Sequence, residues 1–363
     1  MSRSQGGVVH VIGRLNVGGP AHLVVALSRA SQTTTVATGA VQAGEVEHAD
    51  LDGVDLHRIA GLGRRVSAAD DARALRELVR LLRAKRPDIV HTHTAKGGVL
   101  GRTAALCVPA ARVHTFHGHL LYGYFGPQAT RAVTTVESLY AARTDRLVTV
   151  GARVRDELLK AGIGRPDQYC VIPPGVVPPA EVPRDRARQL LQLPKDRQVV
   201  AFVGRLAPIK RPDRVLDVAR LHPEALFLVV GDGSLRAELE LAAPPNVRFL
   251  GWRADVGTVF SASDVVLLTS QNEGMPLSLI EAGMLGVPAV STDVGSAGEV
   301  VLHGRTGLLC APDVDALSAA TGRLLDDAGL RHRWGRDARS WTTKRFAVAG
   351  MVQAHLELYA SLR

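Results

Sequence analysis

Short apolar runs recur along this chain. Each is followed by a glycine or polar turn, and then by apolar positions at helical spacing. In the first half the runs are VVHVIG (8–13), TTVAT (34–38), VDLHRI (54–59), DIVHTHT (88–94), RVHTFHG (112–118), RLVTV (146–150) and QYCVIPPG (168–175). Between them the pattern predicts helices over Pro20–Ala30, 71–86, Gly98–Leu106, Thr134–Arg143 and Ala152–Ala161. Strands alternating with helices at this spacing predict a largely parallel sheet covered on both faces. The proline-rich stretch IPPGVVPPAEVPRD (172–185) breaks the pattern and reads as a linker. The alternation then restarts with QVVAFVG, LFLVVG, VRFLG, DVVLLTS and PAVST, with GLLC as a sixth strand. A long helical stretch follows from about Val314, with a break expected near Gly335. The predicted fold is α/β: two doubly wound Rossmann-like domains facing a central cleft. Residues 1–173 form the first domain, 174–185 the linker and 186–340 the second domain.

A chain of 363 residues suits two domains, and 46% apolar content with 4% aromatics describes a packed protein. Cys107, Cys170 and Cys310 show no paired spacing and read as small buried residues. No run of 18 apolar residues occurs, and MSRSQGG leads into a strand without an apolar signal segment. A cytoplasmic location is therefore expected. The net charge of +9 is uneven: 22 Lys and Arg stand against 14 Asp and Glu up to Pro178. Arg73, Arg76, Arg80, Arg83, Lys85 and Arg86 stud one predicted helix. That face permits peripheral contact with anionic lipid at the inner face of the cell membrane, or is simply solvated. Nucleic acid is not expected, because no base-stacking aromatics interleave with the basic residues.

The candidate chemistry lies at strand ends. In SQNEGMPLSLIEAGMLGVPAV (270–290), Glu273 falls in a loop after a strand and Glu281 one to two turns into the next helix. Two carboxylates so placed can hold a polyhydroxy ligand. Arg205 and Lys210 flank the loop after QVVAFVG and suit a diphosphate: the guanidinium for oxygen pairs, the ammonium as a mobile point charge. Gly231 opens a turn that allows close backbone approach to a base or phosphate. Gly18 and Gly19, before Pro20, place backbone N–H groups at a helix start. That loop is not G-x-G-x-x-G, which argues against a nicotinamide dehydrogenase. His117, at a strand end before Gly118, is the best placed histidine, and His93, Lys96 and His119 are candidates for holding an acceptor. His91 and His93 have metal-capable spacing, but no carboxylate or cysteine accompanies them, so no metal is expected. Asp313 reads as a helix cap. Neither a serine elbow nor a phosphate loop is present.

The blocks FVGRLAPIK, VGDG, VRFLGW, NEGMPLSLIEAGMLGVPAV and VLHGRTGLL, with GGPA, HTHTAKGGVLGR and HTFHGH in the first half, resemble the retaining GT-B glycosyltransferases of family 4. The first-half blocks resemble a bacterial branch that builds surface polysaccharides, envelope glycans or decorated natural products. The resemblance implies a nucleotide-sugar donor, usually UDP-linked, held by the second domain, and no divalent metal or cofactor. It implies that Arg205 and Lys210 grip the diphosphate, that Glu281 holds the ribose hydroxyls, and that Glu273 faces the donor sugar. Gly274, Met275 and Pro276 would close on that sugar, with Leu277 near the nucleotide. Gly18 and Gly19 would lie near the diphosphate and acceptor, and His117 near the reactive face of the sugar. The acceptor would be a lipid-linked glycan or a soluble small molecule. Residues 341–363 would form a helix crossing back to the first domain. Two other readings share this plan: an epimerase acting on UDP-N-acetylglucosamine without an acceptor, and a non-catalytic nucleotide-sugar-binding protein.

Overall fold

The computed structural model describes residues 7–41, 46–47, 51–63, 66–118, 121, 123 and 126–363, and it divides into two compact units. Among the described residues, the first unit carries a seven-stranded parallel sheet: β1 Val8–Arg14, β2 Thr34–Gly39, β3 Asp55–Arg58, β4 Ile89–His93, β5 Ala111–Phe116, β6 Arg146–Thr149 and β7 Tyr169–Val171. Its strand order is β3-β2-β1-β4-β5-β6-β7. Helices α1 Gly19–Arg29, α2 Ala68–Lys85, α3 Ala95–Ala105, α4 Pro127–Ala141 and α5 Ala152–Lys160 connect the strands. The second unit spans Val176–Ala347. Its helices are α6 Arg184–Leu190, α7 Asp213–Leu221, α8 Arg236–Ala242, α9 Val256–Ala262, α10 Leu277–Met284, α11 Ala297–Val300, α12 Val314–Asp326 and α13 Ala328–Arg345. Its strands are β8 Val199–Val203, β9 Leu226–Val230, β10 Val247–Gly251, β11 Val265–Leu268, β12 Ala289–Thr292 and β13 Gly307–Cys310, ordered β10-β9-β8-β11-β12-β13. The last helix, α14 Val348–Ala360, belongs to the first unit.

Both sheets follow one rule. Alternate residues of a strand point to opposite faces, so a strand buried on both faces needs apolar side chains throughout. In β1, Val8 and Ile12 pack toward α1 and α14, with Met351, Leu358 and Tyr359, while Val9 and Val11 pack toward α2 and α3, with Leu78 and Leu82. In β8 the split is Val200 and Phe202 on one face against Val199 and Ala201 on the other.

Three details differ from the sequence reading. Helix α4 begins at Pro127, seven residues before Thr134, because Gly126 and Pro127 supply a start that outweighs the β-branched run behind them. The long C-terminal helix breaks at Asp327, whose side chain caps α13 by accepting from Leu330 N–H at 2.7 Å, and not at Gly335. Gly335 sits inside α13 because a Cβ there would lie 2.1 Å from the Gly286 carbonyl oxygen; it is a packing glycine. The crossing back to the first unit falls at Phe346–Ala347 and not at Trp341, which stays in α13 with its indole N–H donating to Val300 O at 3.1 Å.

The first unit also depends on a close pass of α3 over β1. A Cβ on Gly97 would lie 2.7 Å from the Gly13 backbone nitrogen, whereas one on Gly350 in α14 meets nothing within 4 Å. Gly97→Ala is expected to destabilise the chain by about 1–3 kcal/mol through overpacking. Gly350→Ala is expected to stabilise it by roughly 0.5–1 kcal/mol through helix propensity. Denaturant unfolding of the two variants beside the parent checks the pair; equal effects would show that the close pass is unimportant.

Candidate active site

In the second sheet β8 and β11 are neighbours, yet the chain leaves β8 toward β9 on one side and leaves β11 toward β12 on the other. Loops diverge at such a reversal of strand order and open a crevice at the C-terminal strand ends. Leu206 and Ile209, both buried, anchor the loop after β8, and Leu206 N–H donates to Asp232 O at 2.9 Å. Arg205, between them and the strand, is exposed, and its side chain has no ion pair or hydrogen bond among the described residues. A 3-10 turn, Pro208–Lys210, then brings Lys210 to Glu273, with Nζ donating to the two carboxylate oxygens at 2.6 and 2.8 Å. Ser270 Oγ donates to Glu273 Oε1 at 2.5 Å, and Glu273 is only 8% exposed. The two loops are stitched together by hydrogen bonds: the Thr269 hydroxyl donates to Lys210 O and Arg211 O, and Gln271 N–H to Ile209 O.

Past Glu273 the chain turns into α10. Gly274 O accepts from Ser296 N–H at 3.2 Å, and a Cβ on Gly295 (φ +48°) would lie 1.7 Å from Glu273 O. The loop after β12 thus braces the carboxylate loop at backbone contact, which only glycine permits. Met275 is buried, Pro276 precedes α10, and Leu277 is its first residue. The Glu281 carboxyl, on the next turn, has no hydrogen bond or ion pair among the described residues. Its side chain keeps some surface but is surrounded by protein, and this desolvation lifts its carboxyl to about 7. Gly231 (φ +136°) has a structural use of its own: a Cβ there would lie 2.0 Å from Gly204 O, so it lets the loops after β8 and β9 meet.

The first sheet reverses its order at β1 and β4. Gly18, at φ +147°, turns the chain into α1, whose first residues are Gly19 and Pro20. After β4 the turn is made by Thr94 at φ +62°, ψ 169°, a conformation that β-branched residues avoid. Thr94 Oγ1 accepts from Gly13 N–H at 3.3 Å, joining the end of β1 to the loop after β4. Strain of this kind marks functional loops more often than ordinary ones. On the α14-facing side of the sheet, His10 pairs in register with His91, and Ile12 with His93. His93 Nδ1 lies 3.2 Å from His117 Nε2, and His10 Nδ1 lies 2.9 Å from His93 Nε2. His91 bonds Tyr359 OH and Thr115 Oγ1 through its two nitrogens. Burial, with a smaller push from His355, drives His117 and His10 down to about 3, so both are neutral near pH 7. His114, on the opposite face, is packed and bonded to Thr92.

The structure therefore joins Lys210 to Glu273 in the second unit and His93 to His117 in the first. Lys96 is ion-paired with Asp71 at 2.5 Å, and His119 lies outside the described residues. Four residues escaped sequence reading. Ser270 stands three positions before Glu273, a spacing that could have signalled it. Gly295 and Thr94 act through backbone shape. His10 joins the other histidines only once β1 is paired with β4. His10, His91 and His93 each offer a nitrogen within 4.8 Å of the others, a grouping that could hold a metal ion. Of their six ring nitrogens, however, only His10 Nε2 lacks a hydrogen-bond partner.

Comparison with known proteins agrees with this architecture. Residues 183–341 match the model of glycosyl transferases group 1, and residues 20–175 match a glycosyl transferase 4-like domain. The UDP-Gal:alpha-D-GlcNAc-diphosphoundecaprenol alpha-1,3-galactosyltransferase of Escherichia coli is 30% identical over 330 residues, covering 86% of this chain and 85% of that enzyme. The D-inositol 3-phosphate glycosyltransferase of Mycobacterium tuberculosis is 32% identical over 277 residues, covering 68% of this chain and 58% of that longer enzyme. Among solved structures, Anabaena Alr3699/HepE in complex with UDP and glucose superposes with a TM-score of 0.84 at 21% identity, covering 98% of this chain and all of that one. Two parallel Rossmann-like units, both family models and a galactosyltransferase relative of matching length place this chain among the glycosyltransferases of GT-B fold.

Proposed function

We propose that this chain is a retaining, family 4 glycosyltransferase that moves a sugar from a UDP-linked donor to a hydroxyl of a lipid-diphosphate-linked glycan, without a divalent metal. The observation that carries the donor site is the cluster at the β8–β11 reversal: an Arg205 side chain without a partner, and Lys210 already oriented by Glu273, which Ser270 holds in turn. The relatives' names support the substrates. The Escherichia coli enzyme takes UDP-galactose and a diphosphoundecaprenol-linked sugar, and the Anabaena protein binds UDP and glucose. Family membership favours transfer over the epimerase reading and over a non-catalytic role. An exposed face of α2 bearing Arg76, Arg80 and Arg83, with Arg86 just past its end and none of the four ion-paired among the described residues, suits the anionic surface where a lipid acceptor resides. No helix among the described residues is long and apolar enough to cross a membrane.

In this reading the bond between the sugar C1 and the β-phosphate oxygen breaks first, and the electron pair leaves with the diphosphate. Arg205 and Lys210 stabilise the charge that accumulates there, the task a metal ion performs in other transferases. The acceptor hydroxyl attacks C1 from the face the diphosphate leaves, and its proton passes to the departing phosphate oxygen. Glu273 orients the donor sugar and sets the position of Lys210. Glu281 receives the ribose hydroxyls, and the backbone of Gly274–Pro276 closes on the sugar. Gly18 and Gly19 offer N–H groups at the start of α1.

Arg205→Ala is expected to leave stability within about 0.5 kcal/mol of the parent, since the side chain is exposed and unpaired. UDP affinity should fall about ten-fold or more with the loss of a charge-assisted contact. Lys210→Ala should lose affinity and also about 2–3 kcal/mol of stability, because it strands a buried carboxylate. Titration of UDP in EDTA, beside denaturant unfolding, separates the two effects. Undiminished UDP binding by Arg205→Ala would sink the diphosphate assignment, and failure to transfer sugar to a polyprenyl-diphosphate-linked acceptor would sink the acceptor.

Glu281 gives a pH prediction. Its folded value of about 7 lies above the ordinary 4.5, so its contribution favours the folded state below pH 4.5 and is lost as pH rises through 7. Glu281→Gln has no such loss. The variant should therefore gain about 2–3 kcal/mol relative to the parent on going from pH 4.5 to pH 8, read by denaturant unfolding of the ligand-free protein. A pH-independent difference would refute the desolvated carboxylate.

A further inference from the structure

The histidine face of the first sheet extends two rings behind His117. His10 Nδ1 meets His93 Nε2 at 2.9 Å, and His93 Nδ1 meets His117 Nε2 at 3.2 Å. Both links run from nitrogen to nitrogen, so each needs one proton, carried by one of its two rings. The three rings are buried enough to be neutral: His10 and His117 are pushed down to about 3, and His93 well below its ordinary value. A neutral imidazole carries one N–H. The chain of three rings therefore has only two self-consistent patterns.

In the outward pattern His10 donates to His93, His93 donates to His117, and His117 keeps its own proton on Nδ1. In the inward pattern His117 Nε2–H donates to His93, His93 donates to His10, and His10 holds its proton on Nε2. The deep end decides between them. His10 Nε2 is buried and has no hydrogen-bond partner. The inward pattern would place an N–H donor there with no acceptor; the outward pattern leaves only an unused lone pair. Orphaned buried donors are the rarer of the two, and each costs a full desolvation penalty. His355 does not rescue the inward pattern. Its Nδ1–H donates to Met351 O at 2.9 Å, which makes its Nε2 a lone pair, but that nitrogen has no hydrogen-bond partner either.

We propose that His10 and His93 are positioning residues that lock His117 as a neutral ring protonated on Nδ1, so that His117 offers a hydrogen bond to a ligand oxygen and does not act as a base through that nitrogen. His117 Nδ1 has no hydrogen-bond partner among the described residues, so this donor is left for a ligand. The identity of that ligand, a hydroxyl of the donor sugar or of the acceptor, rests on the transferase reading above; the tautomer does not. A wrong tautomer at a site of this kind disables catalysis without altering the fold.

The test uses the full chain with 15N-labelled histidine and long-range proton–nitrogen NMR, which distinguishes protonated from bare ring nitrogens. In the parent, His117 should show its proton on Nδ1, unchanged between pH 8 and pH 5. A proton on Nε2 overturns the proposal with no variant needed. His10→Phe keeps the ring volume and removes the donor, and should shift the His117 nitrogens toward a mixture of tautomers. His10→Asn, whose amide can donate from near the Nδ1 position, should restore the parent spectrum. In sugar transfer, His10→Phe should lower kcat about ten-fold or more, as loss of an outer-shell partner does elsewhere, with UDP affinity unchanged and recovery in His10→Asn. An unaltered His117 spectrum in His10→Phe overturns the relay. So does a stoichiometric transition metal in the purified parent that is lost in His10→Phe, since the histidines would then be ligands. If the parent binds no UDP, the transferase reading fails while the tautomer result still stands on its own.

Discussion

The reversal of strand order in each sheet is the constraint from which the rest of this molecule follows. Where β8 and β11 lie side by side, the chain leaves them in opposite directions, and the same happens at β1 and β4. Loops leaving neighbouring strands in opposite directions cannot cover the strand ends between them. Apart from His117, which follows β5 beside β4, every residue assigned a role in donor binding or in the histidine relay lies on a loop beside one of these reversals, on the helix that follows it, or on the strands that form it. The hydrogen bond from Thr269 to Lys210 ties the two diverging loops of the second sheet together, and the one from Gly13 to Thr94 ties the end of β1 to the loop after β4 in the first.

Within that opening the ligand-free chain satisfies its own charges unevenly. Glu273 is nearly buried and would be costly to leave unpaired, so Lys210 and Ser270 hold it. Arg205 is exposed and has nothing to satisfy. In the proposed donor site a diphosphate would meet the unpaired Arg205 side chain and a Lys210 that is pre-aimed but shared. Lys210 can turn toward phosphate only if Glu273 gains donors elsewhere, and the hydroxyls of a sugar are suitable donors. In the proposed donor site the Lys210–Glu273 pair would couple the two ends of a nucleotide-sugar: UDP alone would compete for Lys210 against Glu273, whereas a complete donor would replace what it removes.

The fold was largely legible in the sequence because its signals are local. Apolar runs of four to six residues, each closed by a turn, mark strands whichever partner they find, and GLLC proved to be a strand like the rest. Breaks in helices were less legible. Gly335 looked like a stop, yet its missing side chain serves contact with Gly286, a residue distant in sequence. The candidate site divides in the same way. Arg205, Lys210, Glu273 and Glu281 declare themselves by chemistry at strand ends. The pairing of Lys210 with Glu273, the bracing of the carboxylate loop by Gly295, and the union of His10 with His93 depend on which strands are neighbours. Periodicity along one strand gives a residue's face but says nothing of its neighbour across the sheet.

Burial fixes proton positions in both units, with opposite consequences for stability. In the first, His10, His91, His93, His114 and His117 are neutral and packed, with values pushed below the ordinary 6.5. The unfolded chain takes up protons there that the folded one refuses, so this unit loses stability as pH falls below 6.5. In the second unit Glu281 keeps a proton that the unfolded chain releases, so its contribution grows as pH falls from 7 toward 4.5. Mild acid therefore weakens the unit with the histidines while easing the desolvation of Glu281 in the other unit. The relay can remain neutral, with its protons ordered in one direction, only while α14 covers that face with Tyr359 and His355. The helix that returns from the end of the chain to the first sheet is thus part of what defines the proton on His117.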